Sequence, residues 1–595
     1  LEANTTGSAN TAVGLSALDA NTTGGSNTGI GAGALGANTT ASNNVAVGKN
    51  ALVANTDGHS NTAVGSEAGD SITTGDENVA IGHGALDAAT TANGNTAVGT
   101  DTMGGALTGD NNTAVGYNAM LVATSVTGTT AIGNQCLDAL TTGDNNTAVG
   151  SAALGANTTA SNNVAVGKGA LAANTTGTDN VAVGYLALDA QTTGGYNVAV
   201  GRDAGGAITT GEKNVIVGSA AADGMTTSDQ CTVVGYGALS AATTADNNTA
   251  VGYQALAANT TGFSNTVMGA TAGDAITTGA RNTLIGRDAG GGITSQNDCV
   301  FVGDLAGSAN AAADNVGIGQ QCLETNSSGA ALTAVGKMAL EANTSGSNNV
   351  AVGHEAGRGN TSGAQNTLIG QDAGTSLTTG GTNTGVGDGT LGSVTSGTLN
   401  TAIGSDAGSN LASGASENTL LGASSKTGAT NSSHAIVIGS GITPTATNDK
   451  VTIGKPSNLI SNVFTSNATW ARVSDERKKK NIKEDTLGLD FINDLKTVTF
   501  EWKPNHEFPK HFRDYKETPE ENEMTTGLTL HGMVAQDVKA ALDKAGVDTF
   551  GGWSEDAEDG SQEIAQGMFV HPLIRAVQEL SAQVEELKQK SHTKC

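Results

Sequence analysis

The chain has 595 residues, of which 85 are glycine, only 3% are aromatic and 14% are charged, and its formal net charge is −28. A net charge this acidic argues against nucleic-acid binding, which needs a basic surface that neutralises phosphates. Charged residues are too few, and valine and threonine too abundant, for a disordered chain. Since its apolar runs are too short to span a bilayer as helices, no membrane insertion is predicted.

A five-residue motif, N-T-A-V-G or a close variant, recurs every 17 residues from Asn10 onward. Its final glycine stands at positions 14, 31, 48, 65 and 82. The series continues to Gly454 with one 16-residue step, one 18-residue step and a shortened last unit, which makes about 27 units. Threonine, asparagine and glycine are poor helix formers. The fixed period therefore predicts a mainly β fold, with a β-solenoid shaft over residues 1–455.

Each unit follows the pattern N-T-A-V-G-x-x-A-L-x-A-N-T-T-G-x-x, as from Asn10 to Ser26. The Val or Ile before the glycine and the Thr or Val two residues earlier should face one side of a strand, and the alanine between them the other. The A-L pair after the glycine suggests a second short strand, and N-T-T-G supplies turn residues. We therefore predict that each unit is one coil of a parallel β-roll or β-helix.

The asparagine that heads each motif is predicted to form a structural ladder, in which each amide bonds the neighbouring coils. The first five members are Asn10, Asn27, Asn44, Asn61 and Asn78. Cys231 and Cys299 occupy this ladder position, and Cys136 and Cys322 occupy the small-residue position after the glycine, so all four should be buried and unreactive. Cysteine spacing and turn patterns fit neither a metal site nor a calcium-binding roll, so no metal and no cofactor is predicted.

The repeat units resemble the head repeats of YadA-like trimeric adhesins. They are still more similar to the N-T-A-x-G-x-x-A-L-x-x-N-T-T-G repeats of viral and bacterial fibre proteins. This resemblance implies a fibrous, trimeric, extracellular protein.

The composition changes near residue 455, since all three tryptophans lie beyond residue 469. A linker is predicted over residues 456–472 and a small α+β domain over residues 473–595. The segment G-L-D-F-I-N-D-L-K predicts a short amphipathic helix, followed by a strand at Val498–Trp502. The segment H-G-M-V-A-Q-D-V-K-A-A-L predicts a strand that runs into a helix.

The last predicted element is a helix over about residues 570–590 with an apolar seam at 4-3-4-3 spacing. The seam consists of Leu573, Val577, Leu580, Val584 and Leu587. Two or three heptads are marginal in isolation, so we predict a coiled coil with copies of the same chain. The alternative is a helix that packs on its own domain.

A basic segment, V-S-D-E-R-K-K-K-N-I, begins the predicted α+β domain at residues 473–482. Its pattern S-D-x-R-x-K-x-N-I is formed by Ser474, Asp475, Arg477, Lys479, Asn481 and Ile482. This pattern is similar to the signature of the endosialidase-type intramolecular chaperone domain of phage tail fibres and spikes. The later L-x-x-V-x-F-x-W and G-x-x-A-Q-D-V segments agree with that family in order and spacing. The resemblance implies a domain that trimerises, templates the folding of the fibre before it, and then cuts itself off before the serine.

The same resemblance implies a Ser-Lys dyad at Ser474 and Lys479, with the scissile bond at Val473–Ser474. A serine hydroxyl is a weak nucleophile until a base accepts its proton. The neighbouring Arg477 and Lys478 would favour the neutral amine that Lys479 needs as that base. Self-cleavage is the only enzymatic activity predicted, and a basic linker that does not react is the alternative.

We predict a homotrimeric fibre at the virion surface, a viral tail or capsid fibre that attaches to a glycan or protein receptor on the host. A bacterial surface adhesin or appendage of the same build is the alternative. A polysaccharide-degrading spike ranks last, because residues 1–455 contain no non-repeating insertion and no paired carboxylates out of register. Since the sequence begins at Leu1 without a Met or a signal-like segment, we expect a processed or truncated chain.

Overall fold

In the computed structural model the chain divides into two compact units, Leu1–Val473 and Ser474–Cys595, called here the shaft unit and the C-terminal unit. The structure describes residues 1–445, 448–463, 471–472, 479–512, 515, 517 and 529–593, except for the side chains of residues 458, 471, 472 and 505. In the described part of the chain, no helix has the length and apolar character needed to cross a membrane.

The shaft unit is a parallel β-solenoid with one three-residue strand in each coil. Strands β1 to β26 are, in chain order, Thr11–Val13, Thr28–Ile30, Val45–Val47, Thr62–Val64, Val79–Ile81, Thr96–Val98, Thr113–Val115, Thr130–Ile132, Thr147–Val149, Val164–Val166, Val181–Val183, Val198–Val200, Val215–Val217, Thr232–Val234, Thr249–Val251, Thr266–Met268, Thr283–Ile285, Val300–Val302, Val316–Ile318, Thr333–Val335, Val350–Val352, Thr367–Ile369, Thr384–Val386, Thr401–Ile403, Thr419–Leu421 and Ile436–Ile438. The predicted mainly β solenoid of 17-residue coils is confirmed.

Each strand pairs in parallel with the same three positions of the next coil. Thr11 pairs with Thr28, for example, 17 residues further along the chain. The two irregular steps of the period leave this register intact, because Val300 still pairs with Val316 and Thr401 with Thr419. The residue gained or lost in those coils is therefore absorbed outside the strands.

The strands bury their middle residue and turn their first and third residues outward. In β2 to β26 the middle residue, most often alanine, is buried, and the residues on either side of it are partly or largely exposed. The leucine of the A-L pair also points into the core, as Leu18 and Leu35 show. A narrow core of alanine and leucine thus runs along the shaft.

The predicted second short strand is wrong. Where it was expected, Ser16 and Leu18 have positive φ values of 57° and 51°, so the backbone turns instead of extending. The coils are still joined at this side, because the Leu18 N–H donates a hydrogen bond to the Ala34 carbonyl at 3.0 Å. A leucine in a left-handed conformation is uncommon, which is why the A-L pair suggested an extended segment.

The repeat region ends in an antiparallel hairpin. Strand β27 (Lys450–Lys455) pairs in parallel with β26, and β28 (Asn458–Val463) pairs antiparallel with β27. The short strand β29 (Ala471–Arg472) then pairs with β28. Strands β28 and β29 lie within the range for which a linker was predicted.

In its described residues the C-terminal unit combines three α-helices with two small antiparallel sheets. Its elements are α1 (Leu489–Asp494), β30 (Val498–Phe500), β31 (Leu530–Gly532), α2 (Ala535–Lys544), β32 (Trp553–Glu555), β33 (Gln562–Ile564) and α3 (Val570–His592), with short 3-10 helices at Asn505–Glu507 and Gln566–Phe569. Strand β30 pairs with β31, and β32 with β33. The small α+β region that ends in a helix is confirmed.

Candidate functional site: the basic segment and the C-terminal unit

Of the two residues of the predicted Ser-Lys dyad, the structure describes one. Lys479 is exposed to solvent, whereas Ser474 lies outside the described residues. So do three further members of the predicted site, namely Val473, Asp475 and Arg477. The site residue Asn481 is exposed and has a positive φ of 54°, a conformation that asparagine tolerates well. The backbone thus bends two residues after Lys479.

A carboxylate on α3 fixes the start of α1, ten residues beyond Lys479. The Leu489 N–H donates a hydrogen bond of 2.7 Å to Glu579 Oε2, and Arg575 Nε donates one of 3.0 Å to Glu579 Oε1. The backbone N–H of Leu489, with help from Arg575, holds the pKa of Glu579 below its usual value. The chain that follows the basic segment is therefore anchored on α3 by a charged hydrogen bond.

An aromatic core holds the helices of this unit together. The rings of Phe491 on α1 and Phe569 before α3 stack with their centroids 6.3 Å apart and an angle of 7° between their planes. Phe550 meets both rings edge-on, at 6.1 and 5.1 Å. Val538 and Leu542 of α2 are buried in the same cluster. Large aromatic side chains dominate the energetics of so small a core.

Helix α3 has one face against its own unit and a second, apolar face in solvent. Pro572 and Ala576 are buried on the first face. The second face carries the predicted seam, whose residues are between 41% and 65% exposed in the single chain: Leu573, Val577, Leu580, Val584 and Leu587. Packing on its own domain, the alternative considered from the sequence, therefore accounts for the neighbouring face of the helix and leaves the seam uncovered.

Residues 474–547 match the family described as chaperone of endosialidase. The matched residues begin at the predicted nucleophile and end just after α2, so they include residues 474–482 of the basic segment, α1, β30, β31 and α2. Searches against curated proteins and against solved structures gave no match. The family match confirms the chaperone-like region that the sequence pattern predicted.

The chaperone-like region and the exposed seam lie in one folded unit. The matched residues end at Val547, whereas the seam lies on α3, which begins at Val570. The two are connected through α1, since Leu489 of the matched range is bonded to Glu579 of α3. A partner helix on the seam would therefore bind directly beside the chaperone-like region.

In the shaft unit, the motif asparagines stack from coil to coil along the solenoid. The Asn27 N–H donates to Asn10 Oδ1 at 2.9 Å, while Asn27 Oδ1 accepts from the Asn44 N–H at 3.0 Å. Asn27 Nδ2 donates to the Ala41 carbonyl at 2.8 Å. Asn61 and Asn78 continue the same column. Because these buried amides find partners in adjacent coils, the column is structural and leaves its members little capacity for a ligand.

A second asparagine ladder was not predicted from the sequence, because the N-T-T-G segments were interpreted as turns only. Asn38 Nδ2 donates to Asn21 Oδ1 at 2.7 Å and to the Ala41 carbonyl at 3.1 Å. Asn55 continues the column with a bond of 3.1 Å to Asn38 Oδ1. The 17-residue spacing of Asn4, Asn21, Asn38 and Asn55 was the signal that could have revealed it.

Four buried cysteines replace core or ladder residues. The Cys231 N–H bonds Asn214 Oδ1 at 2.9 Å, and Cys231 Sγ lies 3.2 Å from the Ala245 carbonyl oxygen, as a ladder asparagine would be placed. Burial raises the pKa of Cys231 and Cys299 to about 11. It raises the pKa of Cys136 and Cys322 to about 12. These four side chains are therefore thiols at neutral pH and are poor nucleophiles and metal ligands.

Proposed function

We propose that this chain is the subunit of a homotrimeric extracellular fibre that attaches a virus to its host, with a C-terminal unit that templates assembly. The observation that carries the proposal is the order of the two regions: a shaft of near-identical coils followed by residues that match the chaperone of endosialidase. Copies of such a shaft can align in many registers, since a shift of 17 residues looks nearly native. Long parallel structures also form slowly and aggregate on the way. A template at one end would fix the register first.

The exposed seam of α3 supports association of the C-terminal units. Its five apolar side chains would be covered by the same seam of another copy, as in a coiled coil. The proposal of three chains, and not two, rests on the resemblance to the chaperone family. In an isolated parallel coiled coil, the valines Val577 and Val584 at a positions with leucines at d positions would favour two strands. The rest of the unit must therefore help to select three.

An outer stripe on the shaft supports association along its length. The stripe consists of the third residue of each strand, and many members are more than a third exposed in the single chain: Val13, Ile30, Val64, Ile81, Ile132, Val200, Val217, Met268, Ile285, Ile318, Val352, Ile369, Ile403 and Ile438. In β1 to β26 this column contains no charged residue. Contiguous apolar surface of this extent is rare on monomers and marks interfaces.

Self-cleavage would follow assembly. In the proposed reaction Ser474 Oγ attacks the carbonyl carbon of Val473, and Lys479 accepts the hydroxyl proton. The peptide bond breaks as an ester forms, and the Ser474 nitrogen receives that proton from Lys479 and leaves as an amine. Water then hydrolyses the ester, which leaves Val473 with a carboxylate and restores the serine hydroxyl. Loss of the template would trap the assembled shaft kinetically.

Mass spectrometry of the purified full chain tests this step. We expect a shaft fragment that ends at Val473 and a second fragment that contains residues 474–595. Ser474→Ala and Lys479→Ala should remain at full length, because they remove the nucleophile and the base. Lys480→Ala is the matched control for loss of a positive charge and should be cut like the unchanged chain. An assembled chain that stays intact, or a Ser474→Ala variant that is still cut there, would refute the reaction.

A further inference from the structure

A group of exposed aromatic and cationic side chains lies on one column of the shaft. The column consists of the residue that follows each motif glycine, and its register is fixed by bonds such as that from the Gln254 N–H to the Tyr236 carbonyl. The rings of Tyr236 and Tyr253, in adjacent coils, stack with centroids 5.7 Å apart and planes within 10° of parallel. Both residues remain more than half exposed. Such a pair presents two outer ring faces to solvent.

Small residues flank this pair on both sides, and an arginine stands beyond each of them. In coil order the column reads Arg202, Ser219, Tyr236, Tyr253, Ala270 and Arg287, which we call the tyrosine ridge. Since Ser219 and Ala270 have short side chains, the outer face of each tyrosine ring is open toward the neighbouring arginine. The ridge thus contains two open spaces, called slots here, which lie over Ser219 and Ala270 between a tyrosine ring and the coil of the next arginine.

The spacing of the coils gives each slot the width of one ring. Adjacent coils in a parallel sheet are about 4.8 Å apart, so the two walls of a slot start about 10 Å apart at the backbone. A sugar ring stacked on the outer face of a tyrosine needs about 3.5–4.0 Å of this distance. Arg287 leaves its slot open because it bonds the next coil, with Nε 2.9 Å from Asp304 Oδ1 and Nη2 3.0 Å from Asp304 Oδ2.

The charge of the ridge indicates an uncharged ligand. The positive charge of Arg202 is compensated by Asp203, since Arg202 Nε lies 3.0 Å from Asp203 Oδ2. The charge of Arg287 is compensated by Asp304 in the same way. The ridge therefore has no surplus positive charge to attract an anion, on a chain whose net charge is −28. Guanidinium and carboxylate groups held side by side still offer donors and acceptors, which suit the hydroxyl groups of a neutral sugar. The negative faces of the tyrosine rings suit the positively polarised C–H groups of a sugar ring.

We propose that the tyrosine ridge binds a neutral polysaccharide, with one sugar ring stacked on the outer face of Tyr236 and another on that of Tyr253. The arginine–aspartate pairs hydrogen-bond the hydroxyl groups of the same sugars. This assignment rests on the attachment role proposed above and names the class of receptor. It involves binding only and no change in the sugar.

An oligosaccharide array probed with the uncut Ser474→Ala chain tests the assignment. The array carries neutral oligosaccharides of glucose, galactose, mannose, rhamnose and N-acetylglucosamine, together with oligogalacturonate as an anionic probe. We expect binding to at least one neutral member, and an affinity at least about tenfold weaker when Tyr236→Ala and Tyr253→Ala are combined. Tyr236→Phe should retain binding, because it keeps the ring.

Tyr117→Ala is the matched control. Tyr117 occupies the same column and is about as exposed, but its neighbours in the column are Thr100 and Asn134 instead of a second ring. This variant should bind like the unchanged chain. Absence of binding to every neutral probe, a preference for oligogalacturonate, or undiminished binding by the double variant would overturn the assignment.

The mass of the assembly, measured on the same samples, separates this proposal from the one on which it rests. The double variant should assemble like the unchanged chain. If it does not assemble, the ridge is a contact between subunits and the sugar assignment is wrong. If all variants assemble and none binds a sugar, the fibre proposal stands without this receptor.

Discussion

At the scale of single residues, the motif glycine sets how closely coils can approach. Gly167 has a φ of 142°, a region that side chains with a Cβ rarely adopt. A Cβ built on it would lie 2.2 Å from the Gly184 carbonyl oxygen in the next coil. The column of glycines therefore lets the backbones of successive coils pass each other at the end of every strand.

Gly167→Ala should lower the free energy of local unfolding of the shaft by about 2 kcal/mol or more. The Gly184 N–H, which donates to the Val166 carbonyl at 2.8 Å, reports on the damage through faster hydrogen exchange. Gly155→Ala is the control, since a Cβ there would have its nearest neighbour at 3.4 Å. Equal protection of the Gly184 amide in both variants would show that the close approach is not limiting.

The sequence predicted single positions well where the period itself carried the information. The ladder at Asn10 and Asn27 and the burial of Cys231 followed from spacing alone, because every coil repeats the same environment. The segment around Leu18 did not, since its left-handed backbone goes against the preference of leucine. The stacking of Tyr236 on Tyr253 was not predictable either, because the 17-residue separation puts them in adjacent coils but does not set the orientation of their rings.

At the scale of elements, the attachment of α1 to α3 depends on one carboxylate. Because the folded-state pKa of Glu579 lies below its unfolded value, its ionised form stabilises the fold. That contribution is complete above the unfolded value and is lost as the pH falls through the folded value. The stability that ionised Glu579 contributes is therefore lost in a pH window that begins at about pH 4.3 and extends to lower pH.

The protection of the Leu489 amide against hydrogen exchange, corrected for the intrinsic rate, should fall as the pH drops through this window. Glu579→Gln should lower this protection at neutral pH and flatten its dependence on pH, because the charged acceptor is gone. Glu586→Gln is the control, since Glu586 pairs with Lys590 on the exposed part of α3. A pH profile for Glu579→Gln that matches the unchanged chain would contradict this role.

Elements of the C-terminal unit were predictable where the pattern was local. The seam of α3 and the strand that runs into α2 came from spacing within one segment. The bond between Leu489 and Glu579 joins residues 90 positions apart, so no local pattern reveals it. The same holds for the ring cluster of Phe491, Phe550 and Phe569, which brings three segments together.

At the scale of the whole molecule, the single chain exposes two apolar surfaces. The outer stripe follows the strands of the shaft, and the seam follows α3 in the other unit. In the proposed trimer, other copies of this chain would cover both surfaces. The C-terminal unit would then supply a non-repeating surface that sets the alignment of the copies, which the uniform shaft lacks.

The mass of the full chain in solution tests this account most directly. Native mass spectrometry of the Ser474→Ala chain, which keeps the template attached, should give three times the chain mass of 58.6 kDa. Leu580→Asp, in the seam, should abolish that assembly, because an added charge cannot be covered by a second apolar helix. Ala582→Asp, on the exposed side away from the seam, should leave the trimer intact. A Ser474→Ala chain that remains a monomer or stops at a dimer, or a Leu580→Asp chain that still forms trimers, would contradict the account.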